Sequence, residues 1–293
     1  MKLPLLAALT FVTLSAQAQQ QRPAITGVAF VRVYTADPAA SQIFYGKTLG
    51  FDATAKDSLT HYQVNDAQWI EVAPMPTPAP VSKVACFGLT TRDVRAMERY
   101  LRARHIPIEE PLANGKFAIH DPEGHLIYFV QQTPAGPEPS PRAPSHRLIH
   151  TGFNVKDREV ESKFFHDILG FNPLWFGGRS DDIVDWVSLQ VPDGRDWVEF
   201  MLHPPADNET KSLGSRNHIA LGVANMPDTL AAVARNGCTD ATCSASKPGR
   251  DGKLQLNLFD PDLTRTEYME FTPSTPTCCS PFTAKPPTEK ENR

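Results

Sequence analysis

Four side chains in the second half of the chain have residue types and positions that suit metal chemistry. His150 and His218 each open a stretch of alternating apolar residues typical of a β-strand. Glu199 and Glu267 lie among apolar neighbours, in "DWVEFML" and "LTRTEYMEF". Buried glutamates are rare unless they are paired or bound to a metal. Two imidazoles and two carboxylates suit one divalent ion of the borderline class, namely Zn, Ni, Co, Mn or Fe(II).

Strand alternation predicts that both histidines face away from the helix-covered side of a sheet. In the first strand, Ile149 and Phe153 are predicted to face the helix, while His150 and Gly152 lie on the opposite face. The strand that opens with His218 repeats this pattern. Because small residues stand beside each histidine, the pattern predicts an open concavity instead of a filled core.

The elements that must position these side chains are duplicated along the chain. The segment "DPAASQIFYGKTLGF", residues 37–51, realigns without gaps on "DREVESKFFHDILGF", residues 157–171. In both copies an alternating run precedes a helical period that stops at Gly-Phe. The segments "DPEGHLIYF" and "DPDLTRTEY" also match, and a weaker strand–turn–helix repeat occurs within each half. The chain is therefore predicted to contain four units of strand, helix and several strands.

The first half serves as an internal control for the candidate site. Its residues at the positions of His150, Glu199, His218 and Glu267 are, in that order, Phe30, Glu71, Cys86 and Tyr128. Both histidines and one glutamate are absent, although the scaffold is kept. A histidine needed for folding would be needed in both halves, so the difference predicts chemistry in the second half only. The histidines of the first half, including His61 and His125, are expected in loops or at the surface.

The N-terminal residues and the composition restrict the compartment and the partners. Residues 1–18 contain an early lysine, an apolar run and Ala16-Gln17-Ala18, a pattern typical of a signal peptide. We expect cleavage after Ala18 and a periplasmic or secreted protein with no membrane partner afterwards. The formal net charge of −4 indicates no basic surface for nucleic acid. In an exported chain, Cys238 with Cys243, and the adjacent Cys278 and Cys279, are candidates for disulfides.

Proline-rich segments predict how the chain is divided. The predicted limits are a signal peptide at 1–18, a first domain at 26–132, a stiff linker at 133–145, a second domain at 146–273 and an extended or disordered tail at 274–293. The segment "GRDGK", residues 249–253, is predicted to be a turn that could also present Arg250 or Lys253 to an anionic substrate.

The repeated units resemble the vicinal oxygen chelate superfamily. The resemblance rests on "D…SxxFYxxxLGF"-like segments and "DPxGxxIE"-like closures, and it covers residues 27–271, with Leu263 where the closing turn usually has glycine. The superfamily includes glyoxalase I, methylmalonyl-CoA epimerase, fosfomycin-resistance proteins, bleomycin-binding proteins and extradiol dioxygenases. The resemblance implies an α+β fold with four βαβββ modules paired into two domains, each a cupped, incomplete barrel with helices outside.

The resemblance also implies a metal-dependent enzyme that acts on a small-molecule substrate. By position, His150, Glu199, His218 and Glu267 are similar to the four-ligand set of glyoxalase-I-type and epimerase-type members. This implies a lyase or isomerase that binds vicinal oxygens of its substrate on one divalent metal ion. Glu199 or Glu267 would then be the catalytic general base.

Two alternatives stay open at the level of the sequence. An Fe(II) extradiol-type dioxygenase would use only His150, His218 and Glu267 as ligands, with His203 and Tyr268 as candidate acid–base residues. A non-catalytic binding protein would instead bury a ligand in a cup of aromatic side chains, for which Phe30, Tyr34 and Trp69 are candidates in the first half. The same aromatic residues are equally suited to a structural core.

Overall fold

The computed structural model describes residues 21–133, 136, 138–206 and 210–288, so the predicted signal peptide lies outside the described residues. The first half contains eight strands and two α-helices: β1 (Ile25–Thr35), α1 (Pro38–Ser41), β2 (Asp52–Lys56), β3 (Leu59–Gln63), β4 (Trp69–Pro74), β5 (Val84–Thr91), α2 (Val94–Arg102), β6 (Glu110–Ala113), β7 (Lys116–His120) and β8 (Leu126–Gln131). These strands form one sheet in the order β2-β3-β4-β1-β5-β8-β7-β6.

The second half repeats this arrangement and adds one helix before its second unit. Its elements are β9 (Leu148–Val155), α3 (Arg158–Lys163), β10 (Asn172–Gly177), β11 (Trp186–Gln190), β12 (Trp197–Leu202), α4 (Thr210–Arg216), β13 (His218–Val223), α5 (Met226–Arg235), β14 (Lys247–Pro248), β15 (Leu254–Phe259) and β16 (Arg265–Glu270). The sheet order, β10-β11-β12-β9-β13-β16-β15-β14, is that of the first half. The α+β fold with four repeated units, predicted from the sequence, is confirmed.

The helices that follow the first strand of each half begin and end in the same way. Asp37 and Asp157 cap α1 and α3 by accepting hydrogen bonds from backbone N–H groups of the first turn. Each helix continues into a π-helical segment, Gln42–Thr48 or Phe164–Ile168. Each then stops at a glycine with positive φ, a conformation that glycine adopts at little steric cost. The Gly-Phe helix stop seen in the repeat is therefore a conformational requirement.

One main core of apolar side chains spans both sheets. It includes Phe87 of β5 and Phe153 of β9, whose rings stack with centroids 5.2 Å apart. Polar contacts join the halves as well, because the Gln68 amide donates to the backbone carbonyls of Val28 and Leu148 at 2.8 and 2.7 Å. The two halves therefore pack as partners through a shared interior.

The predicted faces of β9 are correct except at Ile149. Phe153 lies in the main core, as expected, but Ile149 packs on the other face of the sheet with Trp197 and Ala220. The reason is a register shift in the pairing of β9 with β13, where Ala220 pairs with His150 and the next residue, Leu221, pairs with Leu148. Such a bulge interrupts alternation locally and reverses the direction of a side chain.

The C-terminal tail is extended and packs on the second half over residues 274–288. Phe282 contacts Trp175, and the backbone N–H of Thr283 donates to the carbonyl of Leu174 at 3.0 Å. The disulfides join Cys238 to Cys243 and Cys278 to Cys279. Within the described residues, no helix is long and apolar enough to cross a membrane.

Candidate metal centre

Each of the four central strands of the second sheet contributes one of the predicted ligands. His150 lies on β9, Glu199 on β12, His218 on β13 and Glu267 on β16. In each unit, the glutamate pairs with the residue two positions after the histidine. Glu199 pairs with Gly152, and Glu267 pairs with Ala220. Since side chains two residues apart share a face, all four project from the same side of the sheet.

The four side chains converge on one point. The Nε2 atoms of His150 and His218 are 2.9 Å apart. The Glu199 Oε2 atom lies 3.9 Å from the first of these nitrogens and 3.5 Å from the second. The Glu267 Oε2 atom lies 3.7 and 3.9 Å from the same two atoms. The structure therefore brings all four predicted ligands together.

Gly152 makes room for this arrangement. A Cβ atom added at Gly152 would lie 1.9 Å from Cε1 of His218, so the imidazole occupies the space that a larger residue would fill. The expectation of an open concavity beside the histidines is thus wrong at this position. Both histidine side chains are fully buried, and those of Glu199 and Glu267 are only 12% and 3% exposed.

The hydrogen-bond partners of the two histidines differ. The Nδ1–H of His218 donates to the backbone carbonyl of Arg216 at 2.8 Å, which leaves the Nε2 lone pair directed at the cluster. Such a backbone partner fixes the tautomer and orientation of metal-binding histidines. His150 is held by stacking on Trp197, with ring centroids 4.7 Å apart, and its Nδ1 has no hydrogen-bond partner among the described residues.

Burial sets the charge state of the cluster. It lowers the pKa of His150 and His218 well below the usual range, so both imidazoles are neutral, which is the form that binds metals. Burial raises the pKa of Glu199 to about 8, and repulsion from Glu267 adds to the effect. Burial also raises the pKa of Glu267. A positive ion at the common point would offset the cost of ionising both carboxylates.

The donor set and its geometry fit a divalent ion. Neutral imidazole nitrogens and carboxylate oxygens are the ligands of borderline first-row metals. His150, His218 and Glu267 each offer one ligand atom, and these atoms all lie within 4.8 Å of one another. Glu199 Oε2 is within 3.9 Å of both imidazole Nε2 atoms. These residues are therefore the candidates to hold the predicted metal, with Glu199 as a possible fourth ligand.

Two residues near the cluster extend the site beyond the sequence prediction. Lys253 ends the predicted turn, which the structure has at residues 250–251, and it is fully buried, with Nζ 4.6 Å from the centre of the Trp197 ring and 5.0 Å from that of Phe282. Burial lowers the pKa of the Lys253 ammonium. Phe282 belongs to the tail, which covers this side of the sheet. The sequence "GRDGK" predicts a turn that could present this lysine to a substrate, but only tertiary packing shows that the side chain is buried beside Trp197.

The two acid–base candidates for a dioxygenase do not lie in the cluster. Tyr268 follows Glu267 on the same strand and therefore faces the main core, where it is fully buried. His203 lies just after β12, with a side chain 62% exposed, and its Nδ1 is 3.1 Å from an Asp185 oxygen. Neither side chain is placed for proton transfer to a substrate at the four ligands.

The matching face of the first half is filled differently. Phe30 stacks on Trp69 with centroids 5.3 Å apart, and Cys86 and Tyr128 pack in the same cluster. Tyr34 is the second-last residue of β1, and by strand alternation it faces the same side of the sheet as Phe30. It lies outside this aromatic cluster. The sequence predicts His61 in a loop or at the surface, and this is wrong. His61 lies on β3, and its Nε2 is 3.5 Å from the buried Glu71 carboxylate. Over residues 21–133, this face of the first half therefore lacks the convergent donors of the second.

A family model matches both halves of the chain. The model describes the Glyoxalase/Bleomycin resistance protein/Dioxygenase superfamily, and it matches residues 27–129 and 147–268. The chain belongs to this superfamily. No curated protein matches the chain. The matched ranges contain all four candidate ligands and all four positions of the internal control.

Solved structures of three 2,3-dioxygenases share the fold over most of the chain. The 2,3-dioxygenase LapB from Pseudomonas sp. KL28 is 18% identical, with a TM-score of 0.63 over 87% of this chain and 95% of its own. Homoprotocatechuate 2,3-dioxygenase from Arthrobacter globiformis is 18% identical, with a TM-score of 0.66 over 88% and 84%. The Brevibacterium fuscum enzyme in complex with 3,4-dihydroxyphenylacetate is 17% identical, with a TM-score of 0.65 over 88% and 86%. At these identities the likeness establishes the fold.

Proposed function

We propose that the protein is a metal-dependent enzyme that binds two vicinal oxygens of a small substrate at the second-half cluster. The observation that supports the proposal is the convergence of two neutral imidazoles and two buried carboxylates from four strands. His150, His218 and Glu267 would hold the metal ion. When bound, a divalent ion supplies Lewis-acid stabilisation of negative charge on the substrate oxygens.

Ring-cleaving dioxygenase chemistry of the extradiol type, with Fe(II), is the activity we favour. The three similar solved structures named above are 2,3-dioxygenases that match 87–88% of this chain, and one of them is a complex with a dihydroxyphenyl compound. In this proposal Glu199 is the residue beside the substrate that accepts or returns a proton, because its Oε2 lies within 3.9 Å of both imidazole Nε2 atoms while the other three side chains hold the ion. The Trp197 and Phe282 rings would exclude water from the reacting oxygens.

A lyase or isomerase is the second candidate, and Glu199 is the observation that favours it. Glu199 lies as near to the two imidazole nitrogens as Glu267 does, which suits a fourth ligand. A carboxylate in that position could alternate between holding the ion and abstracting a proton next to a carbonyl group. The substrate would then be an α-hydroxy-carbonyl compound or a related molecule.

Metal content and two reactions test the proposal. The mature protein, purified without oxygen or chelator, is expected to carry a divalent ion that both His150→Ala and His218→Ala release from this site. Oxygen uptake with catechol by the Fe(II)-loaded protein would support the dioxygenase. Exchange of the substrate C–H with deuterium oxide, lost by at least about 100-fold in Glu199→Gln, would support the lyase or isomerase. Retention of the ion by both histidine variants would overturn the site.

The proposed compartment is the periplasm or the extracellular space. The support is the lysine, apolar run and Ala16-Gln17-Ala18 of the N-terminal segment. Expression of the full chain in a bacterium, followed by fractionation and intact-mass measurement, should yield an exported protein that begins at Gln19. An uncleaved chain in the cytoplasmic fraction would contradict this part of the proposal.

A further inference from the structure

A second cluster of ligand-type side chains lies where the two halves meet. Asp121 and His125 belong to the turn between β7 and β8, and Glu161 belongs to α3 of the other half. One potential ligand atom from each residue lies within 4.8 Å of the others. Asp121 and Glu161 are 5% and 0% exposed. The His125 side chain is 27% exposed, so solvent reaches one side of the cluster.

Glu161 is the member that ordinary packing does not explain. Its Oε1 atom accepts a hydrogen bond from the backbone N–H of Glu123 at 2.8 Å. Its Oε2 atom is buried and has no hydrogen-bond partner among the described residues. An unpaired buried carboxylate oxygen is costly. Protonation would remove the charge, but the new hydroxyl would still lack an acceptor.

The neighbours of Glu161 increase this cost. Burial raises the pKa of Glu161 to about 8, and the Asp121 carboxylate is the second cause. The Asp121 Oδ2 atom lies 2.7 Å from His125 Nδ1, so that histidine is already engaged by Asp121. A positive ion shared by the three side chains would satisfy the free Glu161 oxygen and separate the two carboxylates.

The matching contact on the other side of the molecule shows that the fold does not need these residues. By the repeat alignment, Asp260 corresponds to Asp121, Thr264 to His125 and Ser41 to Glu161. There the Tyr45 hydroxyl donates to Asp260 Oδ2 at 2.8 Å, and the Ser41 hydroxyl donates to Thr35 Oγ1 at 2.7 Å. That interface is closed by one carboxylate and hydroxyl groups, whereas its counterpart gathers a histidine and two carboxylates.

We infer that Asp121, His125 and Glu161 form a second divalent-cation site that ties the two halves of the chain together. One imidazole and two carboxylates select an ion of the borderline class, such as zinc, manganese or cobalt. The open side at His125 leaves positions for water in the coordination shell. Because the ligands come from both halves, the bound ion stabilises their contact, independently of the proposed enzymatic site.

Zinc titration of the full mature chain tests the inference. Wild type should bind two ions and Glu161→Ser should bind one, because serine is the residue that the fold accepts at the matching position. In the His150→Ala/His218→Ala double variant, one ion should remain, and adding Glu161→Ser should remove it. His125→Thr is the second probe and should weaken the remaining site by at least tenfold. Circular dichroism checks that each variant is folded.

The outcomes separate this site from the proposed function. Unchanged zinc stoichiometry and affinity in both folded variants, Glu161→Ser and His125→Thr, would overturn the interface site. Equal zinc content in wild type and in the His150→Ala/His218→Ala variant would instead count against the second-half cluster. Addition of zinc should raise the melting temperature of that double variant, and the rise should disappear with Glu161→Ser.

Discussion

The two halves of the molecule share a backbone plan and differ in how a buried glutamate is compensated. In the first half, Arg32 occupies the position of Gly152, and its guanidinium donates to Glu71 at 2.6 Å. In the second half, glycine at that position admits the His218 ring, and Glu199 faces two neutral imidazoles. The first half therefore compensates its buried glutamate with the Arg32 side chain, whereas the second half has ligands suited to a metal ion taken from solution.

The halves also differ in what covers these residues. The concave side of the first sheet opens into a cavity of about 620 Å³ lined by residues that include His61, Trp69 and Glu71. On the second sheet, the tail packs Phe282 and Ala284 against the cluster that contains Trp197. The open cup has Phe30 and Cys86 at the positions of the two histidines, while the cup with the histidines is shielded from water. Shielding of this kind strengthens electrostatic interactions with a bound substrate.

The largest effect is expected when the second half receives the arginine of the first. Gly152→Arg should abolish metal binding at the second-half cluster and leave the ion of the interface site, because its Cβ would overlap the His218 ring and its guanidinium would pair with Glu199. Metal analysis and turnover of the purified variant measure the effect. Gly222→Ala is a matched control on β13, where an added Cβ meets Phe271 rather than an imidazole. Full metal content in folded Gly152→Arg would contradict the comparison.

Removal of the internal cation of the first half should cost stability without affecting the metal. Arg32→Ala leaves the fully buried Glu71 carboxylate without its arginine, which we expect to lower the free energy of unfolding by about 3 kcal/mol. Denaturant unfolding at pH 7 provides the measurement. The double variant Arg32→Ala/Glu71→Gln should recover much of the loss, and a stable single variant would refute the role of Arg32.

The metal-free protein should become less stable as the pH rises from 6.5 to 8. Glu199 has a folded pKa of about 8 against 4.5 in the unfolded chain, so only the folded state holds the proton in this window. Unfolding then releases this proton, and stability falls by up to about 1.4 kcal/mol per pH unit for Glu199 alone. Glu161, whose pKa burial also raises to about 8, adds to the fall. The lowered pKa values of His150 and His218 act below 6.5, where the unfolded chain takes up protons and stability falls towards acid pH.

Chemical unfolding at several pH values, with and without zinc, checks this dependence. Glu199→Gln should reduce the slope of the metal-free protein between pH 6.5 and 8, because it removes one of the protons released, while Glu161 still releases its own. Zinc should reverse the dependence, since ion binding requires deprotonated carboxylates. A slope that stays the same in Glu199→Gln would show that other groups control it.

The smallest effect concerns the closing turn of each half. Leu263 has φ +67° where its counterpart, Gly124, has φ +89°, so the turn keeps its left-handed geometry despite the side chain. Leu263→Gly should stabilise the protein by about 0.5–1 kcal/mol. Glycine relieves the strain of the left-handed conformation, and the greater entropy of the unfolded chain offsets part of this gain. Thermal unfolding measures the shift, and Gly124→Leu should give a change of opposite sign.

The sequence alone determined the duplication, the four strand-borne candidate ligands and the half in which they lie. These features depend on local patterns: strand alternation, capping aspartates, Gly-Phe stops and the residue types at matching positions. Because each unit repeats one backbone plan, a comparison of the halves also separated residues kept for folding from those present in one copy. The face of each strand then followed from alternation, except where a bulge interrupts it.

The tertiary structure decided what depends on contacts between distant segments. The bulge that turns Ile149 arises from pairing between β9 and β13, and Lys253 is buried because the tail brings Phe282 over its turn. Glu161 meets Asp121 only because the halves pack against each other. Such contacts join residues that are far apart in sequence and carry no local period, so only the packing of sheets and tail could bring them together.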